Sequence, residues 1–97
     1  MIEHVVIFKW KPGTPPETIR RAIDGLKNLK DRIPGIIDLT CGENFSARSQ
    51  GFETGLVVRL TDRAALEGYS PHPLHQEVVT TLIAPYREDV IAVDYEI

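Results

Sequence analysis

The sequence predicts an α+β domain in which strands and helices follow the order β-α-β-β-α-β. Three observations predict it. Four short runs are rich in β-branched and aromatic residues, as strands are. Two stretches of helical apolar spacing fall after the first and third of those runs. Proline or glycine stands at or near most of the joins between segments. At 97 residues the chain has room for one such domain, residues 1–97, and too little for two.

The first strand is predicted over Ile2–Trp10, stopping before Pro12-Gly13. Thr14-Pro15-Pro16-Glu17 then combines several helix-start signals. Thr14 is placed to cap, Pro15 suits the first turn, and Glu17 completes a capping box three residues on. Ile19, Ala22, Ile23, Leu26, Leu29 and Ile33 keep the helical period to Pro34-Gly35, where the helix is expected to end. A second strand is predicted over Ile36–Cys41, a polar loop over Gly42–Gly51 and a third strand over Phe52–Leu60. Asp62–Tyr69 reads as a short helix broken at Ser70-Pro71. Pro73 opens another, with Leu74, Val78, Val79, Leu82 and Ile83 in period and Pro85 closing it. Val90–Tyr95 is the last predicted strand.

The first strand carries Val5, Val6, Ile7 and Phe8 in succession, and the last carries Val90, Ile91, Ala92 and Val93. Continuous apolar runs mark strands covered on both faces, whereas alternation marks one wet face. Helices from so short a chain cover only one face of a four-stranded sheet. A second copy of the same sheet is the simplest cover for the other, which predicts a homodimer through the sheet face.

Composition narrows the function classes. A net charge of -3 gives no basic surface of the sort that nucleic acid requires. The basic residues Arg20, Arg21, Lys27, Lys30 and Arg32 are interleaved with Asp24 and Asp31, as on a solvated helix face. The run Val5–Phe8 is far too short for a signal or membrane segment, so no membrane partner is expected. A single cysteine, Cys41, has no intrachain partner and reads as a small buried hydrophobe, consistent with a reducing cytoplasm. No phosphate-cradling glycine loop, dinucleotide fingerprint or nucleophile elbow is present, and no cofactor is expected. Three histidines without a carboxylate in register do not make a zinc site or a facial triad; Asp94 on the last strand is able to reach one of them, but no side-chain metal site is expected.

Chemistry concentrates in Tyr69-Ser70-Pro71-His72-Pro73-Leu74-His75. His72 sits at the mouth of the helix that Pro73 opens, and His75 lies one turn in, on the face shared with Val79 and Leu82. His75 is therefore expected to point inward, with Tyr69 able to approach it. His4 shares a strand face with Val6 and Phe8. If the helices cover that face, His4 and His75 line one cavity. An imidazole there accepts or donates a proton near neutral pH, and a phenol polarises a carbonyl or orients a substrate. The same residues also admit a purely structural reading: His72 bonding to loop backbone, Tyr69 filling core, and both other histidines packing.

Five landmarks recur together: His4-Val5-Val6-Ile7-Phe8-Lys9-Trp10-Lys11, Ile33-Pro34-Gly35-Ile36, Gly42-Glu43-Asn44, the Tyr69–His75 segment, and Val93-Asp94-Tyr95. With them the whole chain resembles the stress-responsive A/B barrel domain family, Dabb, of the dimeric α+β barrel superfamily. The resemblance implies a ferredoxin-like protomer with a four-stranded antiparallel sheet that pairs with a twin into a barrel. It also implies a pocket between sheet and helices. In a plant polyketide cyclase of that family, the tyrosine and histidine matched by Tyr69 and His75 perform acid–base catalysis. A pocket histidine matches His4, and apolar wall positions match Val6, Phe8, Leu56 and Val58. A pocket tyrosine of that cyclase falls on Leu26 here, and bulky aromatics of its last helix fall on Val78 and Pro85, so a different substrate is implied.

Two readings follow. In one, a cofactor-free site holds a small apolar carbonyl compound, with His75 as general base, Tyr69 as donor or orienting group, and His4, Val6, Phe8, Leu26, Leu56, Val58, His72, Val78, Val79 and Leu82 around the substrate. In the other, the protein is a non-catalytic stress-response or structural dimer in which these residues only complete the fold.

Overall fold

A computed structural model describes all 97 residues. Its elements are β1 (Ile2–Trp10), α1 (Pro16–Lys27), β2 (Ile36–Glu43), β3 (Phe52–Leu60), α2 (Arg63–Tyr69), α3 (Pro73–Val78) and β4 (Arg87–Glu96). Between α3 and β4 the helix runs on through a π-helical turn, Val79–Ile83, in which the Ala84 amide donates five residues back to the Val79 carbonyl at 2.7 Å. The strands form one antiparallel sheet in the order β2-β3-β1-β4, the ferredoxin-like arrangement.

Alternation along β1 sends Ile2, His4, Val6, Phe8 and Trp10 toward the helices and Glu3, Val5, Ile7 and Lys9 to the other face. The register carries this sorting across the sheet. His4 stands opposite Val58 on β3 and Asp94 on β4, and Val6 opposite Leu56 and Ala92. A core of sixteen buried residues forms between that face and the helices, with Leu26, Leu29, Val58, Leu60, Tyr69 and Ile83 among the most deeply enclosed. Trp10, stacked on Phe8 with ring centroids 5.7 Å apart, donates its indole N–H to Thr54 Oγ1 at 2.9 Å, so its one polar atom is satisfied inside the core.

The opposite face is bare. Val57, Ile91, Val93 and Tyr95 remain 37 to 51% exposed on it, beside the half-buried Val5 and Ile7. β4 bonds only to β1, leaving its outer edge unpaired.

Three segments depart from the sequence expectation. Thr14 does not cap α1: its hydroxyl donates to the Lys11 carbonyl at 2.6 Å, and Pro15, which has no side-chain acceptor, takes the cap position. The helix ends at Lys27, and Leu29 and Ile33 are buried from i→i+3 turns that follow it. β2 runs two residues longer than expected, and β4 begins three residues earlier, at Arg87, and ends one later. Pairing with Lys9 and Trp10 draws Asp89 and Arg87 into the ladder against their weak strand propensity.

The segment after α1 also fixes α2. Gly35 holds φ +90°, and a Cβ there would lie 2.5 Å from Ala65 Cβ. Only glycine allows this approach of the β2 entrance to α2, the helix that ends in Tyr69. Asp62 caps that helix, its carboxylate accepting from the Ala65 amide at 2.8 Å.

Candidate active site

His4 leaves the middle of the sheet toward the helices, and the register sets Asp94 directly beside it. The Asp94 carboxylate accepts from His4 Nδ1. A carboxylate only accepts, so Nδ1 carries the proton and Nε2 is the basic atom of the neutral ring.

His75 is held in the same manner by backbone. The break at Ser70-Pro71 turns the Ser70 carbonyl toward the first turn of α3, where His75 Nδ1 donates to it at 2.8 Å and Gln76 Nε2 at 2.7 Å. Nε2 of His75 is again the free basic atom. Burial lowers the pKa of His75 from 6.5; the bond to Ser70 opposes this, and the neighbouring His4 and His72 imidazoles add to the lowering. His75 is therefore neutral at physiological pH and competent to accept a proton.

Tyr69 lies between the two imidazoles. Its ring centroid is 4.5 Å from that of His75 and 5.7 Å from that of His4. The side chain is fully buried, and its hydroxyl has no hydrogen-bond partner in the chain. Burial, and secondarily the neighbouring Cys41 group, raises the phenol's pKa above its ordinary value, so Tyr69 is a neutral O–H. Cys41 itself is pushed up to about 11 by burial, an unreactive thiol.

His4 and His75 both line a cavity of about 180 Å³ with Val6, Phe8, Leu26, Leu56, Ser70, Val79, Ile83, Arg87 and Val90. It opens over β1 and β4, beneath α1 and the π-helical turn. Of the remaining sequence candidates, Tyr69 packs against both imidazoles and is not in the wall. Val58, opposite His4, belongs to the closed core. His72 caps α3, its Nδ1 accepting from the Leu74 amide at 3.2 Å, and is not in the wall. Val78 and Leu82 instead flank a groove between α1 and α3, packed near Gly25, where a Cβ would come within 2.8 Å of Leu82. The π-helical turn explains that last displacement. Each residue of such a turn advances less around the axis than in an α-helix, so the position three after Val79 falls short of the cavity while Ile83 reaches it.

Sequence reasoning did not find Ser70, Ile83, Arg87 or Val90 as wall residues. Ser70 acts through its carbonyl, which carries no side-chain signal. Val90 was legible from the two-residue period of β4, had the strand been laid against β1. Arg87 preceded the expected strand and so had no face assigned to it.

The comparisons with known proteins agree with this architecture. The family model for the stress-responsive A/B barrel domain matches residues 2–97. The chain belongs to that family. A stress-response A/B barrel domain-containing protein of Arabidopsis thaliana, HS1, is 27% identical, with 98% of this chain and 88% of that protein aligned. Among solved structures, a dimeric ferredoxin-like protein of unknown function from Jannaschia is 29% identical with a TM-score of 0.82, covering 99% of this chain and 98% of that one. A hydroxynitrile lyase from Passiflora edulis has the same fold, with a TM-score of 0.86 at 19% identity over 99% of this chain and 92% of its own. No helix of the A/B barrel chain described here is long and apolar enough to cross a membrane.

Proposed function

We propose that this protein works as a homodimer that binds a small, largely apolar carbonyl compound in the cavity between sheet and helices and moves a proton on it without a cofactor. The observation that carries this reading is the pairing of two imidazoles on one apolar cavity, each with Nδ1 tied to an acceptor and Nε2 left basic. His75 is the general base. His4, oriented by Asp94, is the second proton-transfer group. Such general acid–base assistance contributes about 10²–10⁴-fold, sufficient for enolisation or isomerisation of an activated carbonyl. Tyr69 serves as the orienting residue, its ring wedged between both imidazoles. Val6, Phe8, Leu26, Leu56 and Val79 supply the apolar wall.

Assembly follows from the bare sheet face. Val57, Ile91, Val93 and Tyr95 present a contiguous apolar surface with the Glu3–Arg59 ion pair beside it, and a second copy of the same face covers it. The dimeric Jannaschia relative supports this assembly. A cytoplasmic setting suits a chain whose one cysteine is buried and unpaired.

The test is proton exchange. A panel of aliphatic and aryl methyl ketones is incubated with the protein in D₂O, and α-deuteration is followed by NMR for the unmodified chain, His75→Ala and His4→Ala. Exchange above background that His75→Ala abolishes, with thermal unfolding unchanged, supports the reading. If no ketone exchanges faster than background or shifts the His4 and His75 imidazole resonances, the non-catalytic dimer stands instead.

A further inference from the structure

Arg87 is a charge without a partner. The half-buried side chain lines the cavity from the first position of β4, opposite Trp10, and makes no ion pair and no side-chain hydrogen bond within the chain. Arg59 pairs with Glu3, Arg63 with Glu96 and Lys30 with Asp38, whereas Arg87 is the one arginine or lysine on the cavity wall. Of the acids beside it on β4, Asp89 stands opposite Lys9 and accepts from the Val90 amide, and Glu88 is exposed. No carboxylate lines the cavity. A guanidinium cannot deprotonate to escape partial burial, so a half-desolvated arginine on a concave apolar wall is a standing site for an anion. Its planar fork matches a carboxylate in two parallel hydrogen bonds.

We propose that the cavity takes a small organic carboxylate, whose carboxylate group is held by Arg87 while its carbon chain lies along Phe8, Val6 and Val79 toward His75 and His4. The inference rests on the reading of this cavity as a ligand site and adds to it the substrate class: an acyl compound bearing a carboxylate at the end remote from the reacting carbonyl. Arg87 anchors and selects, whereas the imidazoles do the proton transfer.

The experiment compares two probes of the same shape, hexanoate and hexanamide, by NMR titration of the His4 and His75 imidazole resonances, with His72 as the control outside the wall. The unmodified protein, Arg87→Gln and Arg87→Lys are titrated alongside a solution mass for each. The expected result is hexanoate binding about 10- to 100-fold tighter than hexanamide, the difference erased in Arg87→Gln and partly restored in Arg87→Lys. Equal affinity of the two probes for the unmodified protein overturns the carboxylate assignment while leaving the cavity as a ligand site, and this holds whether or not the variants fold. A hexanoate preference that survives Arg87→Gln shows the anion held elsewhere and refutes the role of Arg87. Loss of the dimer in Arg87→Gln with probe selectivity intact refutes it also, assigning the guanidinium to assembly. If neither probe moves either imidazole, the cavity is no ligand site and the inference falls with it.

Discussion

Replacing Tyr69 with phenylalanine should make the protein more stable, not less. The phenol is fully enclosed and its hydroxyl meets no partner in the chain. Leaving a buried hydroxyl unpaired costs about 1–3 kcal/mol. Phenylalanine keeps the ring that packs at 4.5 Å against His75 and 5.7 Å against His4 and removes only the oxygen. The small void left behind costs roughly a few tenths of a kcal/mol. The net gain is about 1 kcal/mol or more, which raises the melting temperature of a domain this size by about 4–8 °C per kcal/mol. Thermal unfolding followed by circular dichroism, with urea unfolding as a check on two-state behaviour, measures it. On the proposed reading Tyr69 acts through its ring, so α-proton exchange should persist within a few-fold in Tyr69→Phe and collapse in Tyr69→Ala. A Tyr69→Phe protein destabilised by more than about 1 kcal/mol would show the hydroxyl bonded in solution. A stable Tyr69→Phe protein that loses exchange about 100-fold would return the hydroxyl to the chemistry as a proton donor.

Three further outcomes are expected. Because the pKa of His75 lies below 6.5 in the folded protein, the unfolded chain binds the proton more readily; the His75 contribution to stability is intact above 6.5 and lost as pH falls below it, so the acid limb of any exchange rate should also turn over below 6.5 and vanish in His75→Ala. Val93→Asp on the bare sheet face should convert a solution mass of twice 10.9 kDa to that of a single chain without loss of secondary structure, and a variant still dimeric at micromolar concentration would place the interface elsewhere. Gly35→Ala should lower stability by about 2 kcal/mol or more, through the positive φ and the clash with Ala65, and a melting temperature within a degree or so of the parent would show that the β2 entrance relaxes freely.

How far the sequence led depends on whether a feature is local. β1 and β3 were legible to the residue because their β-branched runs end at clear turn signals, whereas the register that sets His4 opposite Val58 is a property of the folded sheet. The start of β4 was not, because Arg87, Glu88 and Asp89 have poor strand propensity and join the ladder only through pairing with β1. The end of α1 was overrun for a related reason: Leu29 and Ile33 hold the helical period, but tight turns can bury the same positions. Within the site, the period placed His75 and Val79 together, as found, yet could not foresee the π-helical turn that takes Leu82 out of the wall and leaves Ile83 in it. The Ser70 carbonyl that orients His75 is backbone, invisible to any reading of side chains.

One element ties assembly to chemistry. Along β4, Val90 and Asp94 face the cavity side, the second as the partner of His4, while Ile91, Val93 and Tyr95 between and beside them face the bare side of the sheet. That strand bonds to β1 alone, so in a single chain it is one of the two edge strands of the sheet. A copy seated on Ile91, Val93 and Tyr95 removes their apolar surface from water and braces the same strand whose Asp94 fixes the tautomer of His4 and whose Arg87 charges the cavity. In the proposed dimer the second copy is therefore more than a cover for a sticky face. A monomeric Val93→Asp protein should retain His75, held by its own helix and the Ser70 carbonyl, while the His4–Asp94 pair loosens. Imidazole resonances that broaden for His4 and stay sharp for His75 are the signature of that coupling, and equal sharpness for both would show that β1 alone holds β4 in place.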